Sequence, residues 1–256
     1  MSTVLIHRRA GLTRLTLSRA DARNALDERM IDALSTAVAG AGRDDGARAV
    51  VLDAEGAVFC AGTDVAWMEL AARGRGADDL ARLGSLLHAL RACPKPVIAR
   101  VQGPAVGAGA ALVACADVAV CADDAFFQLP AVRLGTVPAV IGPYLIEAIG
   151  LRHARRYLLS GEVMGAAEAH RLGLVHEVCP ETSLDETVAR VAEAVAKAGP
   201  LAARETKRLL VSRGHELPSP DLLREAARKS AEVRRGPEGR EGLAAYVERR
   251  EPGWRR

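Results

Sequence analysis

Two short stretches carry the residues best suited to chemistry through the backbone. "GPAVGAGAAL" (103–112) puts three glycines within seven residues, after the apolar run "KPVIARVQ" and before "AALVACA". "AVFCAGTDVAWM" (57–68) repeats the arrangement, with a small-residue turn after the strand-like "AVVLDA" and helical spacing beyond it. A turn that opens a helix leaves N–H groups with no intrahelical acceptor, and these face any approaching anion. Two such turns, each at the end of a buried strand, can aim two N–H groups at one point. That arrangement stabilises a developing oxyanion, at roughly 3 kcal/mol per donor. The same glycines serve equally well where a helix packs against a strand so closely that only small residues fit. The spacing alone leaves both readings open.

Other anion-binding motifs fit poorly. A dinucleotide fingerprint needs a small third residue where Leu112 stands, and Pro104 adds a turn between strand and helix. No Gly-Lys-Ser/Thr follows, which excludes a P-loop. The six histidines have no metal-ligand spacing. The five cysteines (Cys60, Cys93, Cys115, Cys121 and Cys179) are odd in number, form no CxxC pair and mostly lie in apolar surroundings. They read as reduced, buried thiols of a cytoplasmic protein. The first 21 residues have no signal-peptide core, and no apolar run approaches the ~20 residues of a membrane span. With Lys+Arg 35 against Asp+Glu 32, the net charge of +3 is too even to argue for nucleic acid.

The elements that must position the two turns follow from periodicity. "TVLIHRR" and "LTRLTLS", broken at Ala10-Gly11, predict a hairpin. Met30, Ile31, Leu34 and Val38 predict a helix. "ARAVVLDAE", "PVIARVQ" and "DVAVCAD" are buried strands separated by helical stretches, which predicts an α/β fold with much parallel pairing. Segment 73–79, rich in glycine and charge, is expected to be a mobile loop. The chain divides into an α/β core over 1–190 that carries the site and a helical C-terminal module over 191–256.

At these motifs the chain resembles the crotonase superfamily of enoyl-CoA hydratases and isomerases. The matching stretches are "RNAL" (23–26), "FCAGTDV" (59–65), "GPAVGAGAALVACADVAV" (103–120), "RLGTVPAVIGPYLIEAIG" (133–150) and "AAEAHRLGLVHEV" (166–178), in family order over nearly the whole chain. "AGTDVAWM", "KPVIARVQG" and "EGLAAYVERREPGW" are most similar to the methylglutaconyl-CoA hydratase branch. The resemblance implies a ClpP-like spiral of ββα units, a helical C-terminal region that packs on neighbours, and a homotrimer or dimer of trimers. It implies an acyl-CoA thioester substrate and no separate cofactor, coenzyme A being part of the substrate. By position, the backbone N–H groups of Thr63 and Ala108 would form the oxyanion hole. Ala25, Ala61, Asp64 and Val65 would frame the adenine end of coenzyme A. Arg23 would meet a phosphate or remain a solvated turn residue. Asp64 is also placed as a helix cap, and Trp67 and Met68 either line the acyl pocket or pack in the core.

The chain departs from the family pattern where the catalytic carboxylates belong. The first glutamate position is Ala111, which the methylglutaconyl branch also lacks. In the segment usually read Ser-Glu-Val-Arg-Leu-Gly, this chain has "LPAVRLG", so Ala131 stands at the second position. An alanine moves no proton, and losing a general acid–base group typically costs ~10²–10⁴-fold in rate. The candidate substitutes are Gln128, which cannot titrate, Asp123, Asp124, Glu69, Glu147 and His88. Three functions remain: hydration or isomerisation of an enoyl-CoA with a displaced base, a base-independent acyl-CoA reaction such as decarboxylation, or acyl-CoA binding by a weakly active or inactive paralogue.

Overall fold

A hairpin opens the chain. In the computed structural model, which describes residues 2–72, 76–213 and 220–255, β1 (Val4–Arg9) and β2 (Leu12–Leu17) pair antiparallel around Ala10 and Gly11. Both turn residues have positive φ (48° and 77°), as a two-residue turn between right-twisted strands requires. β2 alternates between half-buried and buried residues, and its inward face carries Thr13, Leu15 and Leu17.

The helix α1 (Glu28–Arg43) follows from local chemistry. The carboxylate of Asp27 accepts from Met30 N–H at 2.9 Å, and Met30, Ile31, Leu34, Ala37, Val38 and Ala41 form one buried stripe. It returns the chain to β3 (Ala49–Ala54), a central strand with all six residues buried. Next come α2 (Val65–Ala72), α3 (Gly76–Arg91), β4 (Val97–Val101), the two-residue β5 (Ala105–Val106), α4 (Ala108–Ala114), β6 (Val118–Ala122) and β7 (Phe126–Gln128). α5 (Gly142–Ser160) bends at Gly150, where φ is 72°. β8 (Val163–Gly165), α6 (Ala166–Leu172), β9 (Glu177–Cys179) and α7 (Leu184–Ala196) precede three C-terminal helices: α8 (Pro200–Arg213), α9 (Pro220–Arg235) and α10 (Pro237–Glu248).

The main sheet has six strands in the order β1-β2-β3-β4-β6-β9, parallel everywhere except in the opening hairpin. A second sheet, β5-β7-β8, stands beside it, and single parallel bridges link Leu26 to Thr63 and Cys60 to Ala105. The parallel pairing with interleaved helices matches the α/β fold expected from periodicity. The second sheet goes beyond what periodicity predicts, because strands of two and three residues are too short to show alternation. They form by pairing with β7. Of the expected mobile loop over 73–79, residues 73–75 lie outside the described residues, and 76–79 open α3 instead. Among the described residues, no helix is long and apolar enough to cross a membrane.

Asn24 ties the turns together. It is fully buried at φ 54°, a left-handed conformation that asparagine tolerates better than most residues. Its amide donates to Glu55 O (2.9 Å) and Val58 O (2.8 Å), and its side-chain oxygen accepts from Arg19 N–H (2.9 Å). Asn24→Ala strands these backbone groups, and we expect a loss of about 2–4 kcal/mol in urea unfolding.

Candidate functional site

The site is assembled from peptide orientations. Gly107 has φ 55° and ψ −115°, a combination that glycine alone adopts readily. Its N–H donates to Gln128 O at 2.8 Å, and its carbonyl accepts from Ala111 N–H at 3.2 Å. That carbonyl therefore points along α4, and the Ala108 N–H on the other side of the trans peptide points out of the helix start. Gly109 seats α4 on the neighbouring segment. A Cβ added there would lie 2.8 Å from Cys60 Cβ and closer still to the Cys60 carbonyl oxygen. The tight-packing reading of these glycines therefore holds at Gly109.

The second segment presents its amide by the same logic. Cys60 N–H donates to Pro104 O (3.2 Å), and Val106 N–H donates to Cys60 O (2.9 Å). Beyond Cys60 the chain turns to the other side: Leu26 N–H donates to Gly62 O at 2.7 Å, and Asp64 N–H donates to Leu26 O at 2.9 Å. With the Gly62 carbonyl engaged by Leu26, the Thr63 N–H across a trans peptide points away from Leu26. The α4 start lies close by, since a Cβ built on Gly62 would stand 3.7 Å from Ala108 N. Among the described residues, neither the Thr63 nor the Ala108 N–H has a protein acceptor.

The other expected site residues lie along the Thr63 segment and the turn that it bonds to. Ala61 N–H donates to Arg23 O at 3.0 Å, and Ala25 is buried at the same turn. Arg23 is exposed, with φ 53°. Val65, at 65% exposure, presents an open apolar side chain at the start of α2. Trp67 is half-buried and packs against the core. Asp64 caps α2, its Oδ1 accepting from Ala66 N–H (3.0 Å) and Trp67 N–H (3.3 Å). Arg19 escaped the motif reading. It pairs with Asp64 and with Asp27, each at 3.0 Å, and donates to Ala25 O at 3.0 Å. Only its place beside the turn "ADARNA" could have drawn attention to it.

The candidate substitutes for the missing carboxylates are either exposed or already engaged with other residues. Ala111 is completely buried in α4, and Ala131 is half-buried in a 3-10 turn over Pro130–Leu134. Glu147 pairs with Arg91. Gln128 spends its amide N–H on Gly161 O at 2.9 Å. His88, Glu69, Asp123 and Asp124 are exposed. A surface hollow of about 380 Å³ opens among α8, α9 and α10, lined by Glu205, Lys229 and Leu243, far along the chain from the amide pair.

All five thiols are free, and all but Cys179 are buried. Burial pushes the Cys60 and Cys121 thiols up to about 12 and raises Cys93 and Cys115 as well. Cys60 touches the Thr63 segment, with Gly62 N–H 3.4 Å from its sulfur, yet stays a neutral thiol at neutral pH. Iodoacetamide at pH ~8 should therefore label at most Cys179 in the native protein, as read by intact mass. An unfolded-chain thiol ionises near ~8.5, so above that pH each buried thiol shifts the equilibrium toward unfolding.

Comparison with known proteins places the chain among relatives. A family profile described as enoyl-CoA hydratase/isomerase matches residues 7–256. The 2,3-dehydroadipyl-CoA hydratase of Escherichia coli K12 is 32% identical over 254 residues, covering 98% of each chain. The crystal structure of an enoyl-CoA hydratase from Shewanella pealeana superposes with a TM-score of 0.95 at 33% identity, covering 98% of this chain and 96% of that one. An enoyl-CoA hydratase/isomerase from Marinobacter aquaeolei gives a TM-score of 0.93 at 37% identity, with both chains fully covered.

Proposed function

Because the chain belongs to the enoyl-CoA hydratase/isomerase family, we propose that the Thr63 and Ala108 N–H groups together hold the thioester oxygen of an acyl-CoA and stabilise its enolate. What supports this reading is that two amides without protein acceptors, from separate turns, lie near each other, a Cβ built on Gly62 standing 3.7 Å from Ala108 N. Each donor contributes roughly 3 kcal/mol to the charge that develops on the oxygen. Ala25, Ala61, Asp64 and Val65 frame the adenine end of coenzyme A, and the exposed Arg23 meets a phosphate. Trp67 borders the acyl group. The polarised enoyl-CoA then adds water or shifts its double bond, with solvent carrying the proton, and we expect a rate ~10²–10⁴-fold below that of a glutamate-bearing site. The exposed Leu209, Leu210, Tyr246 and Val247 of residues 191–256 suit contact with further copies of the chain in a homotrimer or dimer of trimers.

A second reading is decarboxylation of a malonyl-type thioester. The bond to the leaving CO₂ breaks, its electron pair enters the enolate held by the two amides, and water then protonates Cα. The engagement of Glu147 with Arg91 and the two alanines favour it, because this step needs no base. The purified protein separates the readings. We expect loss of the enoyl-thioester absorbance for the first. CO₂ release from the malonyl-type thioester selects the second, and tight acyl-CoA binding without turnover marks a binding paralogue. Absence of acyl-CoA binding would overturn all three.

A further inference from the structure

We propose that Arg19 is a positioning residue for the amide pair, acting on Thr63 through Asp64. This rests on the reading of Thr63 and Ala108 given above. The Thr63 amide takes its direction from the bridge to Leu26, which is made by Gly62 O on one side and Asp64 N–H on the other. One guanidinium grips both halves of that bridge from the flanking residues. Its Nη1 donates to Ala25 O (3.0 Å) and pairs with Asp27 (3.0 Å), which enclose Leu26 in sequence, while its Nη2 pairs with Asp64 (3.0 Å), which follows Thr63. The three contacts use the planar fork of arginine, and a lysine ammonium has no such fork to span them. The Arg19 and Asp64 side chains are one-quarter exposed or less, so water screens the pair only in part.

The consequence is specific. Asp64 has two separable jobs: Oδ1 caps α2, and Oδ2 anchors to Arg19. Asparagine is as good a cap as aspartate, so Asp64→Asn removes the anchor and keeps the cap. Asp27→Asn, likewise, keeps the α1 cap and removes one of the two contacts on the Leu26 side, leaving the bond to Ala25 O.

The test is isotope-edited infrared spectroscopy of a ¹³C=O-labelled, non-reacting saturated acyl-CoA at saturating concentration. Its carbonyl stretch reports polarisation by the two amides whether or not the protein turns anything over. We expect a shift to lower wavenumber on binding to the unaltered protein and loss of half or more of that shift in Arg19→Met and Asp64→Asn. Arg19→Lys should recover part of it, and Asp27→Asn should keep most of it. Circular dichroism confirms the fold of each variant, and Asp64→Asn carries the test should Arg19→Met fail to fold. A full shift in folded Arg19→Met or Asp64→Asn, or an equal loss in Asp27→Asn, overturns the positioning role. No shift in the unaltered protein overturns the amide-pair reading itself, and this one with it.

Discussion

Ala131→Glu is expected to raise hydration of an enoyl-CoA by about tenfold or more, toward the ~10²–10⁴-fold that a positioned acid–base group provides. The backbone at this position is already fixed. Thr136 donates to the Ala131 carbonyl from both its N–H and its Oγ1, each at 3.0 Å, and β7 is tied to α4 by the Gly107–Gln128 hydrogen bond. Ala131 is half-buried, so a glutamate there reaches solvent and stays ionised, able to take a proton from water. Ala111→Glu is the instructive contrast. That position has no exposure at all, so the new carboxylate would be buried without a partner. Burial raises its pKa, and we expect a loss of several kcal/mol of stability in place of a gain in rate. Initial rates from the enoyl-thioester absorbance, with Tm as the companion reading, check both variants. A folded, ligand-binding Ala131→Glu protein that gains nothing would show that the site has been misplaced.

Gly109→Ala should have the opposite effect. Its Cβ would collide with Cys60 Cβ at 2.8 Å and with the adjoining carbonyl oxygen, so α4 must move off the segment that leads to Thr63. Alanine favours helix over glycine by ~1 kcal/mol, but overpacking costs about 1–3 kcal/mol, so the net change in stability is small or unfavourable. The larger effect is on the site. A displacement of ~1 Å between groups that must act on one atom costs on the order of 10²-fold in rate. Gly40→Ala in α1 is the control, because an added Cβ there meets nothing within 4 Å. It should leave turnover unchanged and raise Tm slightly. If Gly109→Ala behaved as this control does, close seating of α4 would have no part in the site.

Much of the fold was legible because its signals are local. Ala10-Gly11 marked a two-residue hairpin by its need for positive φ. The apolar spacing from Met30 to Val38 marked α1. The two glycine turns were legible as places where N–H groups are left over. β5 and β8 were not legible, because two or three residues carry no period. Nor were the roles of Glu147 and Gln128. Their types advertise chemistry, and only their neighbours Arg91 and Gly161 reveal that they are already engaged.

The amino-acid sequence by itself determined the α/β alternation, the two turns and the absence of side-chain carboxyls at 111 and 131. These depend on what each residue can do within its own window of chain: its φ preference, its period, its titratable atoms. The tertiary structure alone decided which way the Thr63 peptide faces, that Asn24 holds Glu55 O and Val58 O, that Arg19 reaches Asp64, and that Gly109 lets α4 approach Cys60. Each of these depends on a partner brought in from a distant segment, as with Arg19 and Asp64, 45 residues apart. Packing selects such partners, and no local preference encodes them.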